Sequence, residues 1–400
     1  MKLRTLGLTA ALLAFTASAF AQVPDGGSGD EVGPAMSGQT GATAHTKVGS
    51  TTLSTRLGIF DRSDSGGASG NPFLDESLTV IEPVMIFDHQ VTKDFGYDVK
   101  LSYDWVSSAS IERLNKFDAQ SGASGDNYIG LDAGFRHQVT SADNVSWHVG
   151  LASEYDYFSL GLGSGWSHTF AEKDAVFSAN LNGFYDLVKP IRFDGTQDST
   201  ESRRSLAGTL GWYQVLTPKT HGELGVTYSL QSGFLETAYN AVVLEDPTAP
   251  PNPNLANNAK GTEFSEVLPG TRNRVAVFGR LRQQLGEHDA IELGSRVYSD
   301  DWGIGSYDVT PRYLHEFDSG LLLDVRYRFY TQTAADAWSD HFTGAALPAE
   351  RTQDSDLGKF DSSLFGAHFT WEKWDAGLNV LNRSDGLDHV FLSLGWTTSL

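Results

Sequence analysis

The chain has 400 residues with 29 Lys and Arg against 50 Asp and Glu, a net charge of −21, and no cysteine. The missing cysteine argues against disulfides, thiol metal sites and a lipid-anchored start, and the acidic balance argues against nucleic acid as a partner. Its 42 Gly, 23 Phe, 14 Tyr and 9 Trp suit strands that are apolar at alternate positions only.

Lys2 and Arg4 precede an apolar run from Leu6 to Phe15, and Ala19-Phe20-Ala21 places small residues where a signal peptidase reads. Residues 1–21 are therefore expected to be an export signal, with Gln22 as the mature start. The run falls short of the ~20 apolar residues that a spanning helix needs. Removing Lys2 and Arg4 leaves 27 basic residues against 50 acidic ones, a charge of −23. Solvated acidic loops are the simpler reading of that excess, and a dedicated cation site the sharper one. Residues 22–46, rich in Gly, Ser, Thr and Ala and without a period, read as a flexible lead segment, with a short plug as the alternative.

From Lys47 the pattern changes. Tyr97-Asp98-Val99-Lys100-Leu101-Ser102-Tyr103-Asp104-Trp105 alternates apolar and polar residues, and similar segments recur to the end of the chain. Sixteen strands are predicted, at 47–60, 77–91, 97–107, 127–140, 145–156, 158–170, 175–188, 203–216, 221–234, 272–285, 290–300, 305–317, 320–333, 360–371, 375–382 and 388–398. Their connections sort into two series. Short ones such as Thr92–Gly96, Ser141–Asn144, Ala171–Asp174, Thr217–Thr220, Gly286–Asp289, Asp318-Ser319 and Glu372–Trp374 carry hairpin residues. They alternate with mostly long ones, including 108–126, 189–202, 235–271 and 334–359. This asymmetry predicts an all-β, transmembrane, antiparallel up-and-down barrel over residues 47–400, with short periplasmic turns and long extracellular loops in the outer membrane. An even strand count puts both termini on the short-turn side.

The apolar face of such a wall must touch lipid. Phe87, Tyr97, Trp147, Phe170, Trp212, Phe317 and Trp371 fall near strand ends and are candidate headgroup-level aromatics. Arg272, Arg274, Arg280, Arg282, Arg296, Arg312, Arg326 and Arg328 then point inward from consecutive strands. Glu82, Asp98, Asp104, Asp132, Glu154 and Asp156 point inward from another group, with Lys100 and Arg136 among them. Two opposed charged walls would set a transverse field across an aqueous lumen. Alternatively each wall neutralises itself, since Glu292, Asp308, Glu316 and Asp324 lie on the basic strands.

Residues 208–220 (GTLGWYQVLTPKT), 229–240 (SLQSGFLETAYN), 268–277 (LPGTRNRVAV), 298–313 (YSDDWGIGSYDVTPRY) and 326–338 (RYRFYTQTAADAW) resemble a proteobacterial outer-membrane family catalogued as domain of unknown function 3570. The resemblance covers about residues 203–340, is diffuse before that, and implies a barrel without an established activity. Its most specific phrases hold Asp300, Asp301 and Trp302 and also Gln332, Thr333 and Asp336. These lie where strands meet outer loops, and could line a mouth or bind a cation, although no calcium-loop spacing is present.

Enzyme signatures are absent: the 11 histidines form no zinc-enzyme pattern. Gly161-Leu162-Gly163-Ser164-Gly165 looks like a phosphate loop or nucleophile elbow but has no following helix, and a Ser164 nucleophile would need His148 or His168 beside it. No cofactor is expected. The expected partners are outer-membrane lipid, the barrel assembly machinery during biogenesis and small polar solutes. The leading expectation is a porin-like passive channel. The alternatives are a closed-lumen barrel that anchors a partner, a barrel lipid hydrolase, and a secreted soluble β-protein.

Overall fold

The structure is a computed structural model that describes residues 47–64, 68–121, 125–170 and 174–400. The expected export signal, the lead segment 22–46 and residues 171–173 of one turn lie outside them. The strands are β1 Thr51–Asp64, β2 Leu78–Gln90, β3 Phe95–Ser108, β4 Asp126–Gln138, β5 Asp143–Ser153, β6 Tyr157–Phe170, β7 Ala175–Val188, β8 Glu201–Thr217, β9 Thr220–Gly233, β10 Ala241–Glu245, β11 Gly261–Ser265, β12 Thr271–Gln284, β13 Asp289–Asp300, β14 Gly305–Glu316, β15 Leu322–Gln332, β16 Phe360–Trp371, β17 Trp374–Arg383 and β18 Leu387–Ser399. A short helix, α1 (Ala109–Leu114), follows β3, with its start capped by the Ser108 hydroxyl.

Sixteen of these strands form one closed antiparallel ring, each paired with its neighbours, and β1 closes it against β18. Thr55 pairs with Met85 on one side and Trp396 on the other. Closure leaves the ring without a free strand edge, so the wall strands pair on both sides, with breaks in the ladders at Pro83 and Pro311. All sixteen predicted strands are present, with ends displaced by a few residues. One placement is corrected. The alternation at 145–156 extends past the strand, because β5 ends at Ser153 and Glu154 and Asp156 belong to the turn into β6. Two strands were not anticipated: β10 and β11 form a separate hairpin inside the 235–271 loop.

Alternation maps onto the two faces of the wall. On β3, Leu101 and Tyr103 face outward (46% and 39% exposed), whereas Ser102 and Asp104 face inward and are buried. The same outward exposure recurs at Leu131, Leu151, Leu206, Leu293, Val325 and Leu392, giving an apolar band around a polar interior. The wall strands run from 10 to 17 residues, enough for the ~9–11 that a tilted strand needs to cross a bilayer. No helix of the described residues is long and apolar enough to cross a membrane.

Exposed aromatics gather at both ends of the band. At the turn end are Trp147, Phe170, Trp212, Phe317 and Trp371, with Phe170 and Trp212 in contact at 5.6 Å between ring centroids and Phe87 near Tyr97 at 6.3 Å. At the loop end are Tyr103, Phe158, Tyr185, Tyr228 and Tyr307. Both chain ends of the barrel lie on the turn side, where the Leu400 amide donates to the Thr51 carbonyl at 2.9 Å.

Candidate functional site

Two features dominate the interior: the charged walls and a folded cap over the loop end. In the ring order, β2–β5 and β12–β15 lie eight places apart among sixteen strands, so the acidic and basic groups face each other across the bore.

The basic wall is extensively paired within itself. Arg282 donates to Glu292 at 2.7 Å, Arg312 donates to Glu292 at 3.0 Å and also to Asp324, and Arg280 donates to Glu223 of β9 at 2.7 Å. Arg272 donates twice to Asp300, at 2.9 and 2.6 Å, and lies over the Trp302 ring. Arg326 donates to Asn379 at 3.0 Å, while Arg296 and Arg328 lie over Tyr298 and Tyr330. Arg274 is a further inward group of β12, and Glu316 stands exposed at the end of β14. The acidic wall folds around its two cations. Arg136 holds Asp88 through a two-point contact of 2.5 and 2.8 Å with Asp98 nearby at 3.8 Å, and Lys100 sits among Glu82, Asp132 and Asp104.

At the loop end the connections fold against one another. Phe73 from the β1–β2 connection packs with Val243 and Leu255 of the β9–β12 excursion. Arg113 of the β3–β4 connection pairs with Glu263 on β11, and Arg192 of the β7–β8 connection holds Glu236 at 2.8 Å. The β15–β16 loop supplies the centre. The Gln353 side chain accepts from the Val243 amide at 2.7 Å and donates to the Asp340 carbonyl at 3.0 Å, and its own carbonyl accepts from Asn71 at 3.0 Å. Asp356 takes Arg62 at 3.2 Å and also Arg383, whose guanidinium stacks 3.7 Å over Phe360.

The cap also carries carboxyls with displaced acidities. Burial, then the Asp354 charge, push both Glu76 and Glu266 up to about 8. Burial and Asp356 push Asp354 up to about 7. Burial acts on Asp356 in the same direction, but Arg383 and Arg62 outweigh it and hold that carboxyl low. In the β5–β6 turn, burial and then Asp126 push Glu154 to about 8 and Asp156 to about 6.

The residues of the specific phrases meet at the foot of this cap. Asp300 accepts from Arg272, from the Tyr298 hydroxyl at 2.7 Å and from the Trp302 and Ile304 amides at 3.1 and 2.8 Å. Asp301 binds the Asn273 amide and side chain at 2.8 and 2.6 Å. Trp302 is buried with Leu235, Leu268, Ile304, Ala335 and Leu357. Gln332 donates to the Asp356 and Gly358 carbonyls at 3.0 and 2.6 Å, and the Thr333 hydroxyl accepts from the Gly305 amide at 2.9 Å. Asp336 lies against Gly303, whose φ of +94° favours glycine. These residues tie the loops to the rim, and the Asp300 and Asp301 carboxylates accept from protein donors. Ser164 faces outward on β6, whereas His148 lies on the inner face against Gly163. His168 is four residues along the strand, ~13 Å away, so neither histidine reaches Ser164.

A profile of the family described as "Protein of unknown function (DUF3570)" matches residues 40–373. The chain belongs to this family. The match reaches well before residue 203, where the phrases are diffuse. No curated protein matches the chain. Among solved structures, the siderophore receptor PirA from Acinetobacter baumannii is similar at 10% identity and a TM-score of 0.45, over 84% of this chain and 53% of that one. PirA from Pseudomonas aeruginosa is similar at 10% identity and 0.43, over 84% and 56%. A bacterial polysaccharide outer membrane secretin is similar at 9% identity and 0.45, over 86% and 97%. The chain thus spans about half the length of the siderophore receptors that it matches.

Proposed function

We propose that this protein is an outer-membrane channel for small polar solutes whose outer mouth is narrowed by a folded loop cap. The observation that carries the reading is the division of one sixteen-strand wall into an apolar outer face and an ion-lined inner face. Lipid outside and water inside satisfy both faces at once, and a ring of this size encloses more space than its side chains fill. Short turns then face the periplasm and the cap faces outward. The partners are outer-membrane lipid, the assembly machinery during biogenesis and the solute itself. Solutes move by diffusion past the charged walls; no residue is assigned covalent chemistry, and no cofactor is required.

Planar-bilayer recording tests this. The native protein should conduct weakly, and excising the β10–β11 hairpin should raise the conductance several-fold. The excision is clean in geometry, because Ala241 and Ser265 are register partners and a short turn rejoins the chain. The second reading, a closed barrel that presents its loops to a partner, is favoured by the interlocking of the cap. Silence from both the native and the excised protein would sink the channel and leave the scaffold.

A further inference from the structure

On the outer face at the turn end, four histidines each follow an aromatic residue by two positions: Phe87-Asp88-His89, Phe135-Arg136-His137, Trp166-Ser167-His168 and Tyr313-Leu314-His315. The Nδ1 of each ring meets the start of the neighbouring strand. For His89 the partner is the Thr51 hydroxyl at 2.8 Å, and for His137 the Asp94 carbonyl at 3.2 Å. The other two meet carboxylates, His168 with Asp143 at 2.7 Å and His315 with Asp289 at 2.8 Å.

These two carboxylate sites are built alike. In each, the aspartate opens its strand and is the register partner of the histidine, β5 against β6 and β13 against β14. The aromatic before the histidine donates to the same carboxylate, Trp166 to Asp143 at 3.3 Å and Tyr313 to Asp289 at 2.6 Å. The aromatic after it packs edge-on, with Phe170 4.3 Å from His168 and Phe317 4.4 Å from His315 between ring centroids. Histidine and aspartate stay partly open, with side chains 30% and 27% exposed in one site and 29% and 35% in the other.

An ionised carboxylate only accepts, so each Nδ1 donates to its aspartate and leaves Nε2, across the ring, for another partner. A doubly protonated ring donates from Nε2 to an anion, and the aspartate beside it has lone pairs left for a cation. Given the membrane placement proposed above, a lipid headgroup of the periplasmic leaflet lies against this face. A phosphate alone would suit the imidazole and be repelled by the aspartate. An ethanolamine phosphate carries both charges in one group, and its ammonium N–H bonds suit the carboxylate.

We propose that His168 with Asp143, and His315 with Asp289, form two sites for the headgroup of phosphatidylethanolamine. Imidazole takes the phosphate and aspartate the ammonium, while the exposed Trp166, Phe170, Tyr313 and Phe317 offer apolar surface to the glycerol and upper acyl chain.

Native mass spectrometry of the detergent-solubilised full chain tests this by titration with phosphatidylethanolamine, phosphatidylcholine and phosphatidylglycerol in turn. Phosphatidylethanolamine should bind about tenfold more tightly than the other two, the worth of one charged hydrogen bond. Phosphatidylcholine has no ammonium N–H, and phosphatidylglycerol has no ammonium. His168→Phe/His315→Phe keeps the rings and should abolish the preference, as should Asp143→Asn/Asp289→Asn, each with heat-modifiable gel migration retained. Should the aspartate variant misfold, the histidine one decides. Equal binding of the three lipids by the native protein overturns the proposal, as does an unchanged preference in the folded histidine variant. Both sites face away from the bore, so planar-bilayer conductance of the histidine variant should match the native. Equal lipid binding with that conductance intact overturns the lipid sites and leaves the channel standing.

Discussion

The two ends of the bore use the same chemistry in different surroundings. Towards the turns, arginine–carboxylate pairs stand in partial contact with water: the Arg136 and Asp88 side chains are 24% and 36% exposed. Towards the loops, the pairs Arg272–Asp300 and Arg383–Asp356 are almost fully enclosed. Hydrated pairs contribute little net stability and mainly shape the local potential, whereas enclosed pairs leave a stranded charge when one partner is lost. In the proposed channel, the turn end would tune passage, and the loop end holds a shape.

The largest effect should come from breaking an enclosed pair. Arg383→Ala leaves Asp356 with one of its two arginines and strips the stack on Phe360, so the cap should lose about 3–5 kcal/mol. Protease cleavage within 235–271 should then occur while the barrel still migrates as folded. A barrel unfolding at the same denaturant concentration as its cap would contradict a division between the two. Next is the outer face: Leu131→Arg at the middle of the band should destabilise by about 2–4 kcal/mol in bilayers. Equal stability of this variant would mean that lipid does not touch that surface.

A pH effect should separate the ends without mutation. Glu266 faces Asp354, Glu236, Thr352 and Thr237, and Glu76 faces Asp354, Asp356, Arg62 and Ser355. Both carboxyls stay protonated in the folded cap up to about pH 8, against 4.5 ordinarily. Between those values the folded cap holds protons that an opened cap would release, so cap stability falls as pH rises through about 8. Trypsin cleavage at exposed Lys260, normalised to an unfolded substrate, should be faster at pH 9 than at pH 6. Glu266→Gln should flatten that dependence; a cap that tightens with rising pH would reverse the assignment.

The smallest stability change belongs to the turn end. Arg136→Gln should cost less than about 1 kcal/mol. Neutralising Arg280, Arg326 and Arg328 together should nonetheless shift reversal potentials, and unmoved ones would deny the walls any control over passing ions.

The order of strands, their facing and the two loop lengths were legible in the chain because a strand's period is local: Leu101 and Asp104 reveal their sides without reference to anything distant. Even the diametric placement of the two charged groups follows from counting strands around a ring. Partnering was less legible. Glu292 and Asp324 could be anticipated as mates on the basic strands, but Glu223 for Arg280 needed the β9–β12 register, which the long intervening excursion leaves open. Glu154 and Asp156 were read as strand residues because alternation continues past the point where the chain turns. The β10–β11 hairpin was missed because Pro247, Pro250, Pro251 and Pro253 dominate the composition around it.

By itself, then, the sequence determined a wall with one greasy and one charged surface, because side-chain alternation and turn residues act over a few neighbouring positions. Only the tertiary structure decided which loops meet above the bore and which carboxyls become enclosed. Those outcomes depend on residues as far apart as Arg62 and Asp356 arriving at one place, and on burial that no local pattern encodes.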